Sequence, residues 1–549
     1  MAAPARPIPQ TITQPDGTTL TLIQQGDEWH HWLTDLDGNL VVLASDGFYR
    51  QANEAQLAEW QNIAEHQSQL RTEVNARRTN RLKAARQRSV SADELESHFS
   101  FPSKGVIRGI VVLVEYQDFV FTIDDPLAQF SDMMMKPGYD YALNQKYVHQ
   151  GSAHDYFYQN SMGAFDPQFD VYGPLKLKHE QAYYGGNGSY GNDLHPHEMI
   201  IEACQQLDSL GVDFSQYDNN NDGLIDFVFA IYAGEGENST GISNQVWPHA
   251  WNMSGAGAGG QYTFDGVTLE DYACTCELFM GKLDGVGTFC HEFSHVLGLP
   301  DIYDTNYSSR TPMNYDVLDV GCYLLNSFCP AGYSAYERYE LGWLEPDIID
   351  KPASPCLDDF GTTNQALLIP VTPDLADPRD GEYYLFENRQ PIGWDQYLPG
   401  HGMVVWHIDY VSDKWWYNSV NTWSGHQCVD LVEADGARSR QDGSETFPGM
   451  AGHTEFTDDT TPALSGWSYP GTSNSELGNR LEMPITNIQV TPDADGLNSL
   501  SFDFMGGNTV LQQIEQGLAP GLPLGTVLLD GRLMVNTGNC FYDAMGRRR

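Results

Sequence analysis

The chain has 549 residues, with 29 basic and 74 acidic side chains and a formal net charge of −45 at pH 7. This charge excludes nucleic acid and anionic membrane surfaces as expected partners, because both are bound through clustered Lys and Arg. Hydrophobic residues make up 41% of the chain, enough for more than one core, and no apolar run is long enough to predict a membrane span.

The N-terminal sequence, MAAPARPIPQTITQPDG, lacks the apolar core of a signal peptide. It fits either a cytosolic protein or a secreted protein whose signal has been removed, and we favour the second interpretation because AAPARP resembles a mature N-terminus. Residues 17–50 alternate apolar and polar residues between Asp-Gly turns. That alternation predicts a small β-meander.

Residues 52–90 form the one basic block of this acidic chain. They are rich in Ala, Gln and Arg, contain no Gly or Pro, and predict a helix. The block fits either a solvated helix or a linker open to trypsin-like proteases. Its basic residues from position 71 onward are Arg71, Arg77, Arg78, Arg81, Lys83, Arg86 and Arg88.

From about residue 99 the pattern changes to alternating strands and helices. Buried strands are predicted at 110–114 and 226–234, and a further strand at 168–177. Helices are predicted over residues 154–165, 195–207 and 283–298, the last ending at Gly298. From about residue 365 the sequence becomes rich in short β-type segments.

A candidate calcium loop, DNNNDGLID, lies at residues 218–226. Its oxygen-bearing side chains surround a glycine bend, and Ca²⁺ takes six to eight oxygen ligands. The loop resembles half of an EF-type loop, but Phe229 occupies the position of the usual glutamate. The alternative is an Asx-rich turn without a metal. The predicted calcium ligands are Asp218, Asn220, Asp222 and Asp226.

The stretch HEFSHVLGLPD, residues 291–301, combines two histidines and a glutamate on one predicted helix. His291 and His295 are four residues apart, so their imidazoles share one helix face and can converge on one cation. A catalytic zinc takes three protein ligands and keeps a fourth position for water. Glu292 is placed to accept a proton from that water, which predicts a general base.

The third zinc ligand is predicted from the residues after the second histidine. No glutamate occurs between Glu292 and Glu337, and the residue six positions after His295 is an aspartate instead of a third histidine. Gly298 allows the helix to end and the chain to turn back. We therefore predict that Asp301 completes the zinc site.

Three other residues are weaker candidates for the site. His249 is a candidate for lining the cleft, and Tyr333 and Tyr336 are candidates for donating a hydrogen bond to a developing oxyanion. A packing role is the favoured interpretation for all three.

Together these motifs resemble the immune inhibitor A-like metallopeptidases, whose signature is HExxHxxGxxD with the aspartate as third zinc ligand. PMNYDVLDVG, residues 312–321, is similar to the Met-turn of that family, with Tyr315 and Leu318 in place of its Trp and Met. Leu318 can still form an apolar floor beneath the metal. The resemblance covers about residues 100–500 and implies a secreted zinc endopeptidase made as a precursor.

The C-terminal residues 525–549, GTVLLDGRLMVNTGNCFYDAMGRRR, resemble the start of a type IX secretion sorting domain. This resemblance implies export by a Gram-negative bacterium to its surface or medium. The alternative is an ordinary β-hairpin tail.

The sequence thus predicts an α+β protein with four regions. They are an N-terminal pro-region of meander and helix (1–98), a zincin-like α/β catalytic domain (99–350), a β-rich domain packed on it (351–505) and a tail (506–549) that is either a truncated sorting domain or a hairpin. The expected partners are protein or peptide substrates and an activating trypsin-like protease that cuts between Arg71 and Arg88.

Two other functions remain open at this stage. One is a zinc amidase or exopeptidase. The other is a catalytically silent surface adhesin that keeps zinc for structure, although such a site needs ligands and no base at Glu292. No cysteine precedes Cys204, so latency through a cysteine thiolate is excluded, and either a carboxylate or the chain itself must block the metal.

Overall fold

The computed structural model describes residues 2–89, 102–140, 151–188, 191–307, 311–423, 425–437, 441–450, 452–467, 480–492, 496–508 and three strands within 525–543; side chains of 73–89 and 525–543 are not described. The chain forms two compact units, Met1–Trp343 with Val411–Gln427, and Leu344–Tyr410 with Cys428–Arg549. Among the described helices, none is long and apolar enough to cross a membrane. The boundaries of the four predicted regions stay a prediction.

The first unit begins with the predicted β-meander, an antiparallel sheet of five strands in sequence order. Its strands are β1 (Gln10–Thr13), β2 (Thr19–Gly26), β3 (His31–Thr34), β4 (Leu40–Leu43) and β5 (Tyr49–Gln51). The Asp-Gly pairs form the turns, because Gly17, Gly38 and Gly47 all have the positive φ that favours glycine. The basic block continues as one helix, α1 (Glu54–Ser89), whose Gln56 amide is capped by the Asn53 side chain.

A mostly parallel sheet forms the centre of the first unit, in the order β10-β13-β9-β6-β7. Its strands and those of a small neighbouring sheet are β6 (Gly105–Glu115), β7 (Phe165–Lys176), β8 (Leu224–Ile225), β9 (Val228–Glu235), β10 (His249–Asn252), β11 (Thr263–Phe264), β12 (Val267–Leu269), β13 (Asp271–Phe279) and β14 (Lys282–Leu283). Residues 110–114 of β6 are fully buried, as expected for a strand covered on both faces.

Seven helices accompany this sheet in the described part of the first unit. They are α2 (Pro126–Met135), α3 (Ala153–Asn160), α4 (Gln181–Gly185), α5 (Pro196–Ser209), α6 (Glu237–Thr240), α7 (Gly287–Val296) and α8 (Ala335–Glu340). The predicted helices at 154–165, 195–207 and 283–298 correspond to α3, α5 and α7. The observed α3 ends five residues earlier than predicted, α5 is shifted by one or two residues, and α7 is shorter at both ends.

An aromatic cluster fixes the helix α7. Phe289 and Phe293 lie one turn apart and pack edge-on against Phe169, with ring centroids 5.1 Å and 5.4 Å away. Phe293 also packs against Phe157 of α3 at 4.9 Å. Because residues four apart share a helix face, this packing holds one face of α7 and leaves residues 291 and 295 on another.

The second unit is rich in strands, as predicted. Its two main sheets have the orders β15-β17-β18-β19-β20 and β16-β22-β21, and their inner faces share one apolar core. The elements are β15 (Asp347–Ile348), β16 (Cys356–Leu357), α9 (Phe360–Thr363), β17 (Ala366–Pro370), β18 (Glu382–Arg389), β19 (Gly402–Asp409), β20 (Val429–Leu431), β21 (Ile485–Pro492) and β22 (Asn498–Phe504).

Two further segments lie outside the main sheets: a helix after β19 and a small sheet in the tail. The helix α10 (Ser412–Trp416) follows β19 in sequence and belongs to the first unit. The tail contains an antiparallel sheet of β23 (Gly525–Leu529), β24 (Arg532–Asn536) and β25 (Phe541–Asp543). Residues 544–549, the end of the sorting-like motif, lie outside the described residues. The described elements mix helices and sheets, in agreement with the predicted α+β class.

Candidate metal centre and peptide cleft

Three predicted ligand atoms converge at the end of α7. The Nε2 atoms of His291 and His295 are 3.2 Å apart, and Oδ1 of Asp301 lies 3.4 Å and 3.1 Å from them, respectively. Ligands of a tetrahedral zinc at about 2.0–2.1 Å are separated by roughly 3.3 Å. All three side chains are buried. Their spacing therefore fits the coordination shell of one zinc ion.

Backbone carbonyl groups orient both imidazoles. Nδ1 of His291 donates to the carbonyl of Val317 at 2.8 Å, and Nδ1 of His295 donates to the carbonyl of Leu299 at 2.9 Å. These bonds leave Nε2 as the ligand atom on each ring. Val317 belongs to the predicted Met-turn segment, and the neighbouring Leu318 is fully buried, which is consistent with its predicted role as an apolar floor.

Asn418 holds the third predicted ligand in place. Its side-chain oxygen accepts a hydrogen bond from the Asp301 amide at 2.7 Å, and its side-chain nitrogen donates to Oδ2 of Asp301. Oδ1 is thereby left to face the two imidazoles. Sequence reasoning missed Asn418 because it lies 117 positions from Asp301 and no local motif marks it.

Burial and charge pairing shift the protonation of this cluster. Burial raises the pKa of Asp301, but the imidazoles of His295 and His291 outweigh it and hold that pKa well below its usual range. Burial lowers the pKa of His291, but Asp301, Cys322 and Glu292 together outweigh it and raise that pKa well above its ordinary value. The carboxylate and the two imidazoles thus stabilise one another's charged forms, and a cation bound by all three would compete with protons for them.

The comparison with known families agrees with this geometry. Residues 110–324 match the profile described as the immune inhibitor A peptidase M6 catalytic domain. This segment is therefore similar to a peptidase M6 catalytic domain, and residues 110–324 are called the M6 domain after the profile that they match. The match agrees with the family resemblance predicted from the sequence, and the matched residues include the HExxHxxGxxD motif and the Met-turn segment.

Curated relatives of the M6 domain carry matching names. Immune inhibitor A of Bacillus thuringiensis subsp. alesti is 29% identical over 238 residues, which are 37% of this chain and 34% of the relative. Pre-pro-metalloprotease PrtV of Vibrio cholerae serotype O1 (strain M66-2) is 23% identical over 322 residues, which are 50% of this chain and 34% of the relative. The chain spans about a third of the length of these relatives.

The N-terminal segment, residues 2–6, lies in the cleft of the M6 domain. The amide of Ala3 donates a hydrogen bond to Oε1 of Glu292 at 2.7 Å. Ala2 and Ala3 are fully buried, and Trp247 packs against the segment. The side chain predicted as general base therefore contacts a peptide N–H of the chain itself.

Aromatic side chains of the M6 domain bind the carbonyl groups of the same segment. Tyr303 donates to the carbonyl of Ala2 at 3.0 Å, Trp247 to that of Ala3 at 3.2 Å and Tyr323 to that of Pro4 at 2.7 Å. The contacts use backbone atoms, so any extended peptide can make them. Sequence reasoning did not identify these three donors.

Burial also affects Glu292 itself. It raises the pKa of this carboxyl to about 8, while the charge on His291 and the amide of Ala3 act in the opposite direction. A bound cation beside the carboxyl would lower the pKa again. The pKa of Glu292 therefore depends on the balance between burial, which favours the protonated form, and the nearby positive groups, which favour the carboxylate.

The weaker candidates have structural partners. Nδ1 of His249 donates to the carbonyl of Trp247 at 2.6 Å. The hydroxyl of Tyr333 bonds Ser294, and the hydroxyl of Tyr336 accepts from Trp415 at 2.6 Å. These contacts agree with the packing roles favoured from the sequence.

The predicted calcium loop brings its acids together. One carboxylate oxygen each from Asp218, Asp222 and Asp226 lies within 4.8 Å of the others. Gly223 has the predicted bend, with φ of 86°. Burial raises the pKa of Asp226 to about 7, and the other two acids add to the rise. The side-chain oxygen of Asn220, the fourth predicted ligand, lies in the same loop and accepts a hydrogen bond from the Asp222 amide at 3.0 Å.

Proposed function

We propose that the chain is a secreted zinc endopeptidase in a latent form, and that His291, His295 and Asp301 hold the zinc. The observation that carries this proposal is the hydrogen bond from the Ala3 amide to Glu292, beside the three converging ligand atoms. This hydrogen bond supports a cleft that binds an extended peptide and places one of its amide nitrogens beside Glu292, the proposed general base. The match to the M6 catalytic domain supports the reaction class.

In this proposal Glu292 transfers the proton. A zinc ion bound by the three ligands would polarise the scissile carbonyl and lower the pKa of water. Glu292 takes the proton of the attacking water and delivers it to the leaving amine nitrogen. Its reach to the Ala3 amide, 2.7 Å, is the distance that such a transfer needs.

Tyr303 is the candidate donor to the substrate carbonyl. Its hydroxyl donates to the carbonyl of Ala2, which belongs to the same peptide bond as the Ala3 amide held by Glu292. A donor at that position would stabilise negative charge developing on the carbonyl oxygen. Tyr333 and Tyr336 are bonded elsewhere, which favours Tyr303 for this role.

Latency follows from the segment in the cleft. Residues 2–6 cover the base and its neighbourhood, and the meander and α1 that come after them would anchor the segment as a pro-region. Arg71 is buried and bonds Asp27 and the carbonyl of Thr305. The expectation of an open linker is therefore wrong for Arg71, and activating cleavage is proposed beyond it.

The proposal is tested against its alternatives with a denatured protein substrate. We expect the opened enzyme to cut reduced casein at internal bonds, to lose this activity with a zinc chelator and to regain it with zinc. Release of single terminal residues, or action on small amides alone, would support an exopeptidase or amidase. Zinc binding without hydrolysis of any of these substrates would support the adhesin.

Calcium at Asp218, Asp222 and Asp226 is a second proposed site, with Asn220 as a further oxygen ligand. Three clustered carboxylates repel one another, so a cation that binds only the folded state would stabilise it. We expect Asp222→Ala to abolish a calcium-dependent rise in melting temperature and to increase autolysis, with zinc content unchanged. Asp208→Ala, at an exposed position in α5, is the control. A melting temperature unaffected by micromolar to millimolar calcium in the parent chain would contradict the site.

Export is also part of the proposal. One relative is named a pre-pro-metalloprotease, which supports synthesis as an exported precursor. The sorting-like tail would direct export in a Gram-negative bacterium. Fusing residues 506–549 to a reporter protein in a type IX-secreting host tests this, because a hairpin without sorting function leaves the reporter inside the cell.

A further inference from the structure

The side chain of Arg6 is seated in a pocket beside the catalytic helix. Only 9% of Arg6 is exposed. Its guanidinium group lies 4.2 Å from the ring centroid of Phe279 and 5.2 Å from that of Tyr323. It donates at 3.1 Å both to the side chain of Asn326 and to the carbonyl of Tyr323. The guanidinium is therefore contacted by two aromatic rings and donates to two hydrogen-bond acceptors.

A buried carboxylate supplies the charge of this pocket. Asp284 is 4% exposed and accepts hydrogen bonds from the Gly285 amide and the Thr288 hydroxyl, both at 3.0 Å. Burial lowers the pKa of Arg6, and Asp284 is the largest influence opposing that fall. Burial raises the pKa of Asp284, and Arg6 is among the groups that oppose the rise. We call Phe279, Asp284, Tyr323 and Asn326 the arginine pocket.

The arginine pocket is built on the same helix as the general base. Asp284 lies three residues before α7, and Glu292 lies within it. The loop that carries Asn326 packs directly on the start of α7, since a Cβ at Gly285 would lie 2.2 Å from the carbonyl of Ser327. Arg6 follows by three residues the alanine whose amide reaches Glu292. The distance from base to pocket is thus fixed by the fold.

We propose that the arginine pocket is a substrate subsite, selective for an arginine three residues toward the carboxyl end from the residue whose amide reaches Glu292. This inference rests on the proposed peptidase function. The N-terminal segment makes its other contacts through backbone atoms, and Arg6 is its one long charged side chain. The electrostatic field of a strongly acidic enzyme attracts arginine at every position of a peptide substrate. A specific pocket, in contrast, favours arginine at one position only. Position dependence is therefore the property to measure.

The first experiment uses the intact chain and does not require activity. Hydrogen exchange of residues 2–6 is measured for Arg6→Lys, Arg6→Gln and Arg6→Glu. We expect Lys to keep most of the protection, Gln to lose part of it and Glu to exchange at least about tenfold faster, because its carboxylate would face Asp284. Adding Asn326→Lys to Arg6→Glu is expected to restore protection. Protection in Arg6→Glu equal to the parent would overturn the pocket.

The second experiment measures substrate specificity in the full-length Arg6→Glu variant, in which residues 2–6 are expected to have left the cleft. A set of quenched fluorescent peptides of one uncharged host sequence carries arginine, lysine or citrulline at each position, and mass spectrometry locates each cut. We expect arginine to raise kcat/KM about tenfold over citrulline at a single position, with lysine between them, because charge and planar stacking both contribute. Citrulline keeps the shape of arginine without its charge.

Two substitutions with opposite expected effects exclude a general loss of folding. Asp284→Asn should reduce the arginine-to-citrulline ratio toward one. Asn326→Asp should increase it, since it adds a carboxylate and keeps the positive φ of 59° that Asn and Asp tolerate. Asp208→Asn, at an exposed position in α5, is the control for overall charge. A ratio that is equal at all positions, or that ignores both pocket variants, would overturn the proposal.

The outcomes also separate the subsite from the peptidase function. If residues 2–6 are released in Arg6→Glu but no peptide or casein is cut, the proposed peptidase function is rejected. The binding of the Arg6 guanidinium by the arginine pocket is then still supported. If casein is cut without preference for arginine at one position, the function stands and the subsite is rejected.

Discussion

Asp301→Ala is expected to abolish stoichiometric zinc binding and, with it, peptidase activity. Oδ1 of Asp301 is the only oxygen among the three converging ligand atoms, and the two imidazoles left behind cannot close a catalytic zinc site of three protein ligands. Zinc affinity should fall by more than the roughly 10–100-fold that loss of a supporting residue costs. Zinc per chain and the zinc dissociation constant are measured by metal analysis and competition with a chelating dye.

Two matched variants make this result specific. Asp304→Ala removes a buried aspartate three residues further along and should keep the zinc. Asn418→Ala removes the side chain that orients Asp301 and should weaken zinc binding by about 10–100-fold. Full zinc stoichiometry and activity in Asp301→Ala would contradict the ligand assignment, whereas equal losses in Asp301→Ala and Asp304→Ala would indicate a general loss of folding.

The intact chain is expected to be latent, and Ala3→Pro is expected to activate it without cleavage. Proline has no amide hydrogen to donate to Glu292, so the substitution removes the hydrogen bond that holds residues 2–6 on the base. Leaving a buried carboxylate without its donor costs about 1–3 kcal/mol, which corresponds to roughly a 5- to 150-fold rise in the open population. Casein hydrolysis by the uncut protein measures the effect.

Ala3→Gly is the control, because it keeps the amide and should remain latent. Limited trypsin treatment of the parent chain should reach a similar activity and yield a fragment that begins between about residues 78 and 89, because Arg71 is buried and Arg77 is the next basic residue. An uncut parent that works at full rate, or a cut at this place that abolishes activity, would show that the N-terminal region is a structural domain.

The clustering of the three proposed zinc ligands was predictable because they belong to one short stretch. Helical spacing alone places His291 and His295 on one face, and Gly298 with φ of 104° allows the return of the chain. The strands and α1 were predicted for the same reason, since alternation and helix propensity are local properties. Asn418 was not, because a residue 117 positions away becomes a neighbour of Asp301 only through the tertiary fold.

The binding of residues 2–6 in the cleft could likewise not be predicted from the sequence. Residues 2–6 bind mainly through amide and carbonyl groups, which every residue has, so nothing in AAPAR marks it as the segment that reaches Glu292. Arg71 was predicted in an open basic block because it begins the run of arginines and one lysine that continues to Arg88. Its burial depends on Asp27, which is contributed by the turn after β2 and carries no local signal for this contact.

The most direct test of the account compares zinc content and casein hydrolysis in Ala3→Pro with those in the same chain carrying Glu292→Gln. The account predicts about one zinc per chain in both proteins. It also predicts a loss of hydrolysis of roughly 10²–10⁴-fold in the second protein, because only the proton transfer is removed. Equal hydrolysis by the two zinc-loaded proteins would contradict Glu292 as the base, and absence of zinc from both would contradict the metal centre.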